Sequence, residues 1–118
     1  MTPQRIQLSR KKGFNLQEYS RSINGLEAVK VDRSTKYGNP FYVAKKPDHR
    51  GLYYRCDTRE EAVRGFRRSV CNDFFMLDFR EEDLKHLRGK NIACWCPLPE
   101  NGEPDMCHGA VLLELANQ

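Results

Sequence analysis

Alternating apolar and polar positions predict several short strands in the first half of the chain. Residues 5–8 (RIQL) and 26–31 (LEAVKV) alternate, and residues 41–44 (FYVA) form a short apolar run after a turn. Alternation places every second side chain on one face, which is typical of a half-buried strand. Residues 52–56 (LYYRC) are a candidate edge strand. Residues 16–25 are polar, and their pattern does not distinguish a helix from a loop.

Apolar residues at helical spacing predict two helices in the second half. Thr58 and Glu61 have the spacing of a capping box, in which the Thr hydroxyl accepts from the third amide and Glu reaches back. An apolar stripe follows at Ala62, Phe66, Val70 and Phe74. A second helix is predicted from Asp78, which can cap it, to Gly89, which can end it.

A strand–loop–helix unit is predicted at the C-terminal end. Residues 91–96 (NIACWC) are apolar and bounded by turn residues, residues 97–106 are a polar loop or lid, and residues 109–116 (GAVLLELA) are helical. Intermixed strands and helices favour an α/β fold, with a parallel or mixed sheet and helices layered on it. We therefore expect one domain over residues 1–118, with residues 1–4 as a flexible N-terminus.

The composition indicates a folded cytoplasmic domain. Hydrophobic residues make up 39% of the chain and charged residues 31%, which supports one modest core. No uncharged apolar run approaches the roughly 20 residues that a spanning helix needs, and the N-terminus lacks the apolar stretch of a signal peptide, so no membrane association is expected. Five cysteines, an odd number in such a context, indicate reduced thiols rather than a disulfide framework.

The charge is distributed unevenly. The net charge is +4, but the first 50 residues carry 11 Lys and Arg against 4 Asp and Glu. This basic half could meet a phosphate-bearing partner such as nucleic acid, and a solvated basic surface explains it equally well.

Three cysteines and one histidine cluster near the C-terminal end. In a strand, residues i and i+2 point the same way, so Cys94 and Cys96 share a face and Trp95 takes the other. Cys107 and His108 fall where the last helix begins. The crevice between a strand's carboxyl end and a helix N-terminus is where α/β proteins bind ligands, and anions in particular. We therefore predict that the four side chains converge in one crevice.

Three interpretations fit this cluster. We favour a metal-free catalytic or binding pocket with Cys107 or Cys94 as a thiolate, His108 as a proton carrier and Cys96 shaping the pocket. Zinc could instead take all four side chains as a tetrahedral set, although C-x-C and adjacent C-H spacings differ from the usual C-x-x-C. The cysteines could also be buried simply as small apolar residues.

The loop RSTKYGNPF, residues 33–41, is a second candidate site. Gly38 can take a positive φ, which would let Asn39 present its amide to a base or sugar. Lys36 and Arg33 could neutralise a phosphate, and Tyr37 could stack on a ring. The alternative is that the Asn39 side chain only ties a turn.

Four ordered segments match a known pattern: STKYGNPF, TREEAVRGFR, LRGKNIACWCPL and CHGAVLLELAN. With them the chain resembles the domain-of-unknown-function family 4326, whose members occur in bacteria and their phages. The resemblance spans residues 5–117 and implies a cytoplasmic protein of a bacterium or a phage-infected cell. It marks Ser34, Lys36, Gly38, Asn39, Pro40, Cys94, Trp95, Cys96, Cys107 and His108 as site positions.

The chain departs from the family pattern in three places. Tyr37 stands where Trp is usual, and Ala110 stands where Asp is common, so any role of that carboxylate is absent. The loop 97–106 is longer than the pattern implies, which favours a flexible lid over a rigid zinc knuckle.

We therefore expect a small protein that binds, and could act on, a nucleotide-like or other phosphorylated small molecule in a Cys/His-lined crevice. The main alternative is a non-catalytic, zinc-stapled module that binds nucleic acid or protein. A third hypothesis is a phage interaction protein that binds a host factor and whose cysteines are inert. No cofactor is required in the first hypothesis, and zinc belongs to the second.

Overall fold

Short strands and helices intermix along the chain, and the α/β prediction is confirmed. The computed structural model describes residues 2–118. The strands are β1 (Arg5–Gln7), β2 (Ala28–Lys30), β3 (Tyr42–Val43), β4 (Arg55–Cys56) and β5 (Asn91–Cys94). The helices are α1 (Leu16–Asn24), α2 (Arg59–Cys71), α3 (Glu81–Lys85) and α4 (His108–Ala116).

The strands form two parallel sheets, one of three strands and one of two. In the larger sheet β5 lies between β1 and β2, and β3 pairs with β4 in the smaller one. Ile92 of β5 is opposite Arg5 on one side and Val29 on the other. All four residues of β5 are buried because the strand has a neighbour on each side and packing on each face.

Apolar clusters cover both faces of the three-stranded sheet. On one face Ile92 packs in the larger cluster with Phe66 of α2 and Leu112 of α4, and all three are fully buried. On the other face Ala93, the next residue of β5, packs in a smaller cluster against which Leu16 of α1 is placed. The sheet is thus the middle of three layers, because consecutive strand residues point to opposite faces.

The helix α2 begins as its capping pattern predicts. The Thr58 hydroxyl accepts from the Glu61 backbone N–H at 3.2 Å. The Glu61 carboxylate reaches back one residue further than expected, to the N–H of Asp57 at 3.4 Å. The predicted stripe is buried, but its last member, Phe74, lies beyond the helix end with a φ of 58°.

The next helix starts later than the sequence pattern predicts. Asp78 is exposed and does not cap it; Arg80 occupies the N-cap position, and its N–H donates to the Asp83 carboxylate at 3.0 Å. Phe79 explains the difference. Its side chain is 1% exposed within the larger cluster, and helical backbone begins only after Arg80, the extended residue that follows it.

Residues 16–25, whose polar pattern did not distinguish a helix from a loop, contain the helix α1. Asn15 caps it by accepting from the Glu18 N–H at 3.0 Å, and Gly25 ends it with a φ of 78°. The buried residues of α1 are the polar Ser20 and Asn24, so no buried apolar stripe marks this helix in the sequence.

A buried polar network holds the first residue of β5. The Asn91 side-chain oxygen accepts from the Gln4 N–H at 2.9 Å and from the Asn24 amide at 2.8 Å. Its own amide nitrogen donates to the Ser20 hydroxyl at 2.7 Å. These bonds tie β5 to α1 and to the segment before β1. Within residues 2–118, none of the helices combines the length and hydropathy that a membrane-crossing segment requires.

Replacing Asn91 with alanine should destabilise the fold. The Asn91→Ala change leaves one N–H of the buried Asn24 amide and the part-buried Gln4 N–H without their acceptor, and an unsatisfied buried group costs about 1–3 kcal/mol. Urea unfolding measures this loss of unfolding free energy. Asn101→Ala, in the exposed loop, is the control, and an equal effect of the two changes would contradict the role of the network.

Candidate functional site

The carboxyl ends of the three parallel strands meet at one edge of the sheet, beside the start of α4. Pairing continues past the strand ends, since the Leu8 N–H donates to the Cys94 carbonyl at 2.8 Å and the Val31 N–H to the Ala93 carbonyl at 2.9 Å. A cavity of about 400 Å³ lies at this edge. This volume is within the usual range for small-molecule sites.

The cavity is lined by sulfur, aromatic and basic side chains from distant parts of the chain. Polar and sulfur-bearing residues in the lining are Asp32, Arg33, Ser34, Asn39, Arg59, Cys94, Cys96, Met106, Cys107 and His108. The apolar lining residues are Phe41, Val43, Ala62, Val63 and Trp95.

Three thiols meet in the cavity, as the strand and helix periodicities predict. The Sγ atoms of Cys94, Cys96 and Cys107 all lie within 4.8 Å of one another, and those of Cys94 and Cys96 are 4.0 Å apart. Cys94 ends β5, and Cys96 lies in the bend after it. Cys107 is the N-cap of α4 and its Sγ accepts from the Gly109 N–H at 3.3 Å. His108 lies beside them, with Nδ1 3.9 Å from the Cys107 sulfur.

Within the thiol cluster, the pKa values of the three cysteines are shifted in different directions. Hydrogen bonds from the Cys107 and Cys94 thiols, together with the positive charge of Arg59, lower the pKa of Cys96 far below its ordinary value. The same interactions with Cys94 and Cys96, together with burial, raise the pKa of Cys107. The sequence predicted the thiolate on Cys107 or Cys94. The lowered pKa of Cys96 adds a third candidate, because three close sulfurs compete for the same protons.

His108 is buried and held in one tautomer. Its Nε2 lies 2.6 Å from the Val31 carbonyl, which can only accept, so Nε2 carries the proton. Burial lowers the pKa of His108 and favours the neutral ring, whose Nδ1 then has a free lone pair. The Phe66 ring packs edge-on at 5.2 Å and fixes the imidazole. Any proton that His108 carries for a ligand must therefore move through Nδ1.

Asp32 and Trp95 form one wall of the cavity. The indole Nε1–H donates to the Asp32 carboxylate at 2.8 Å, and the Ser34 hydroxyl donates to its other oxygen at 2.5 Å. Burial opposes ionisation of Asp32, but the bonds from Ser34 and Trp95 lower its pKa overall. The Arg10 guanidinium lies 4.4 Å from the centroid of the indole ring. Asp32 was not predicted from the sequence, although its position two residues after the end of β2 was the available signal.

Two arginines bring positive charge to the cavity. Arg33 donates to the Phe41 carbonyl at 3.2 Å, and Arg59 donates to the Met106 carbonyl at 3.1 Å. Arg33 was expected at the site. Arg59 was not predicted, because the sequence of the first turn of α2 does not show that this turn borders a cavity formed by distant residues.

The Asn39 side chain forms hydrogen bonds with backbone groups of the protein itself. Its oxygen accepts from the Phe41 N–H at 2.9 Å, and its amide nitrogen donates to the Ala62 carbonyl at 3.2 Å. Asn39 borders the cavity, yet these bonds tie the loop to α2, as the turn-tying alternative describes.

Lys36, Tyr37 and Gly38 of the same loop lie outside this cavity, whereas Ser34 lines it. Lys36 pairs with the Asp83 carboxylate at 2.5 Å, and the Tyr37 hydroxyl donates to the Asp83 carbonyl at 2.9 Å. Gly38 does not have the positive φ that was expected. It is required instead by close approach, since a Cβ there would lie 2.6 Å from the Arg33 Cα.

Arg5 holds the two ends of the loop 97–106 together. Its buried guanidinium pairs with Asp105 and donates to the Pro97 carbonyl at 2.7 Å. Because Cys96 precedes this loop and Cys107 follows it, the same contacts keep the two sulfurs close.

Comparison with protein families decides the identity of the chain. The model of the family described as "Domain of unknown function (DUF4326)" matches residues 6–118. The chain belongs to this family. The match covers all four DUF4326 segments that carried the resemblance, which is thereby confirmed. Neither the curated proteins nor the solved structures contain a match to this DUF4326 chain.

Removing the charge of Asp32 should weaken this wall of the cavity. Asp32→Asn replaces an acceptor of two donors by a neutral amide, and we expect a loss of about 1–3 kcal/mol in unfolding free energy near neutral pH. Because the folded pKa is lowered, the contribution of Asp32 is present above its ordinary value of 3.8 and is lost as the pH falls through the folded value.

The fluorescence of Trp95, the single tryptophan of the chain, reports on this wall during pH and urea titrations. Asp57→Asn, at an exposed carboxylate, is the control. A pH dependence of stability that is unchanged in Asp32→Asn would contradict the assignment.

Proposed function

We propose that the chain binds a small phosphorylated, nucleotide-like molecule in the thiol-lined cavity. The observation that carries this proposal is that Arg33, Arg59 and Trp95 border one cavity of about 400 Å³. Such a set combines positive charge for a phosphate with an aromatic ring for a base. This set keeps Arg33 from the residues expected in the loop, and it omits Lys36 and Tyr37, which bond to Asp83 instead.

The basic side chains suit an anionic group. A guanidinium can donate two parallel hydrogen bonds to a phosphate, and each charge-assisted bond is about twice as strong as a neutral one. Arg33 and Arg59 each use one nitrogen for a backbone carbonyl, which anchors the side chain and leaves further N–H groups for a ligand.

The aromatic side chain suits a planar ring. Trp95 is 37% exposed, and its indole is fixed by the bond to Asp32. A fixed aromatic ring loses little entropy when a base stacks on it, and such stacking contributes about 1–3 kcal/mol per base.

The cavity also contains groups for a reaction on the ligand. Cys96 has the thiolate character of a nucleophile, and Nδ1 of His108 can accept a proton. In the enzymatic form of the proposal, which applies to the metal-free protein, Cys96 is the nucleophile in place of Cys107, and Cys94 and Cys107 stabilise its charge.

Nucleotides and sugar phosphates should raise the melting temperature of the protein. A ligand at 100 times its Kd adds about 2.7 kcal/mol to the unfolding free energy. Arg33→Met and Arg59→Met should each weaken binding about tenfold or more, because a hydrogen bond from a charged group contributes about 1.5–3 kcal/mol. Arg64→Met, on the exposed side of α2, is the matched control. Failure of every such compound to stabilise the protein would contradict the proposal.

The thiol cluster supports a second candidate function, a zinc-stapled module without catalysis. The observation in its favour is that three sulfurs lie within 4.8 Å of one another. In this version the basic N-terminal half binds nucleic acid, and its affinity falls steeply with salt. A chelator should then unfold the protein. Melting that is insensitive to chelator, together with the absence of salt-dependent binding to DNA or RNA, would exclude this candidate.

A further inference from the structure

The sulfur atoms of three cysteines lie in the wall of the cavity, in a triangle that resembles one face of a tetrahedral metal site. Tetrahedral zinc with bonds of about 2.3 Å to sulfur places its ligands about 3.8 Å apart. The Cys94 and Cys96 sulfurs are 4.0 Å apart, and Cys107 completes a triangle with no side longer than 4.8 Å. A small contraction of this triangle gives three bonds of ordinary length. Thiolate ligands favour zinc over magnesium or calcium.

Secondary structure fixes the positions of two of these sulfurs. Cys94 ends the buried central strand, and Cys107 caps α4 with its sulfur already accepting an amide N–H. Hydrogen bonds to the ligand atoms of a metal centre orient them and commonly change metal affinity by about 10–100-fold. The positive end of the α4 dipole and the neighbouring Arg59 offset the excess negative charge of three thiolates on a divalent ion.

His108 does not complete the set of four. It lies next to Cys107 in sequence, but within residues 2–118 the group of mutually close ligand atoms contains the three sulfurs and not the imidazole. Turning the ring towards the other two sulfurs would break the 2.6 Å bond to the Val31 carbonyl and the edge contact with Phe66. Because the imidazole is held in this way, the fourth position of the polyhedron is left without a protein ligand.

All three sulfurs border the cavity. We propose that Cys94, Cys96 and Cys107 bind one zinc ion whose fourth position is filled by solvent and opens into this cavity. The ligand of the proposed function, on which this last step rests, would then exchange with the solvent and bind the ion directly. Zinc sites with three protein ligands and one exchangeable position are those that act on substrates, whereas sites with four protein ligands are structural. This arrangement differs from the stapled module, in which the metal is enclosed by four side chains.

The test begins with metal alone, added to the reduced, metal-free protein. We expect one zinc per chain, and Cys96→Ser and Cys107→Ser should each lower the affinity on the order of 100-fold or more, since even changes beyond the ligand atoms cost about 10–100-fold. Cys71→Ser, an exposed cysteine on α2, is the matched control and should bind zinc as the unchanged protein does. Absence of zinc binding by the unchanged protein would overturn the proposal, whatever happens with nucleotides.

The open position is tested on the unchanged protein loaded with cobalt(II) in place of zinc. Imidazole or azide should shift the visible cobalt absorption bands in a saturable way, and His108→Gln should retain most of the affinity for zinc. Bands that do not respond, or a loss of affinity in His108→Gln as large as in Cys96→Ser, would indicate a closed site and overturn the proposal.

The two proposals fail in distinguishable ways. Thermal shifts with nucleotides are measured on both the metal-free and the zinc-loaded protein. Zinc binding without any nucleotide effect removes the ligand function and leaves the metal site. Nucleotide binding by a protein that binds no zinc removes the metal site and leaves the ligand function.

Discussion

The position of β5 between two parallel strands is the constraint on which the rest of the molecule depends. Because β5 is paired on both sides and covered on both faces, its four residues are buried and its end is fixed at Cys94. Parallel pairing also brings the ends of β1 and β2 to the same edge. The cavity, the thiol cluster and the start of α4 all lie at this edge, so any shift in the register of β5 would move the site.

A second constraint keeps the loop before α4 from separating the sulfurs. The chain leaves the sheet after Cys96 and returns only at Cys107, and Arg5 bonds to both ends of the intervening loop. Arg5 is itself buried, and among the described residues its NH1 group is the one buried side-chain nitrogen or oxygen without a hydrogen-bond partner. A buried guanidinium with an unpaired terminal nitrogen costs free energy. Its bonds to Asp105 and to the Pro97 carbonyl offset part of that cost and hold the two ends of the loop.

The ligand-binding proposal and the zinc proposal both depend on the thiol cluster. Three sulfurs that share protons in the metal-free state become three ligands when an ion replaces those protons. The same arginine that lowers the pKa of Cys96 also borders the cavity where an anion would bind. Metal and ligand would therefore occupy adjoining positions, with the positive charge of Arg59 beside both.

Several features of the fold could be predicted from local patterns alone. Alternation indicated β1 and β2, and a short apolar run bounded by turn residues indicated β5. The Thr58 cap and its apolar stripe indicated α2, because such signals depend on contacts between residues close in sequence. The helix α1 escaped detection, since its buried residues, Ser20 and Asn24, are polar and are satisfied by a distant asparagine. The start of α3 was misplaced because burial of Phe79 in the core, and not a local cap, sets where that helix begins.

The sequence by itself determined that Cys94, Cys96 and Cys107 would meet, since period-2 geometry and the ligand-binding edge of α/β sheets are general. Only the tertiary structure decided which polar groups remain for a ligand. Lys36 is taken by Asp83, 47 residues away, while Arg59 and Asp32 come to the cavity. Such pairings depend on how helices and strands pack against one another, and this packing cannot be predicted from the local pattern of residues.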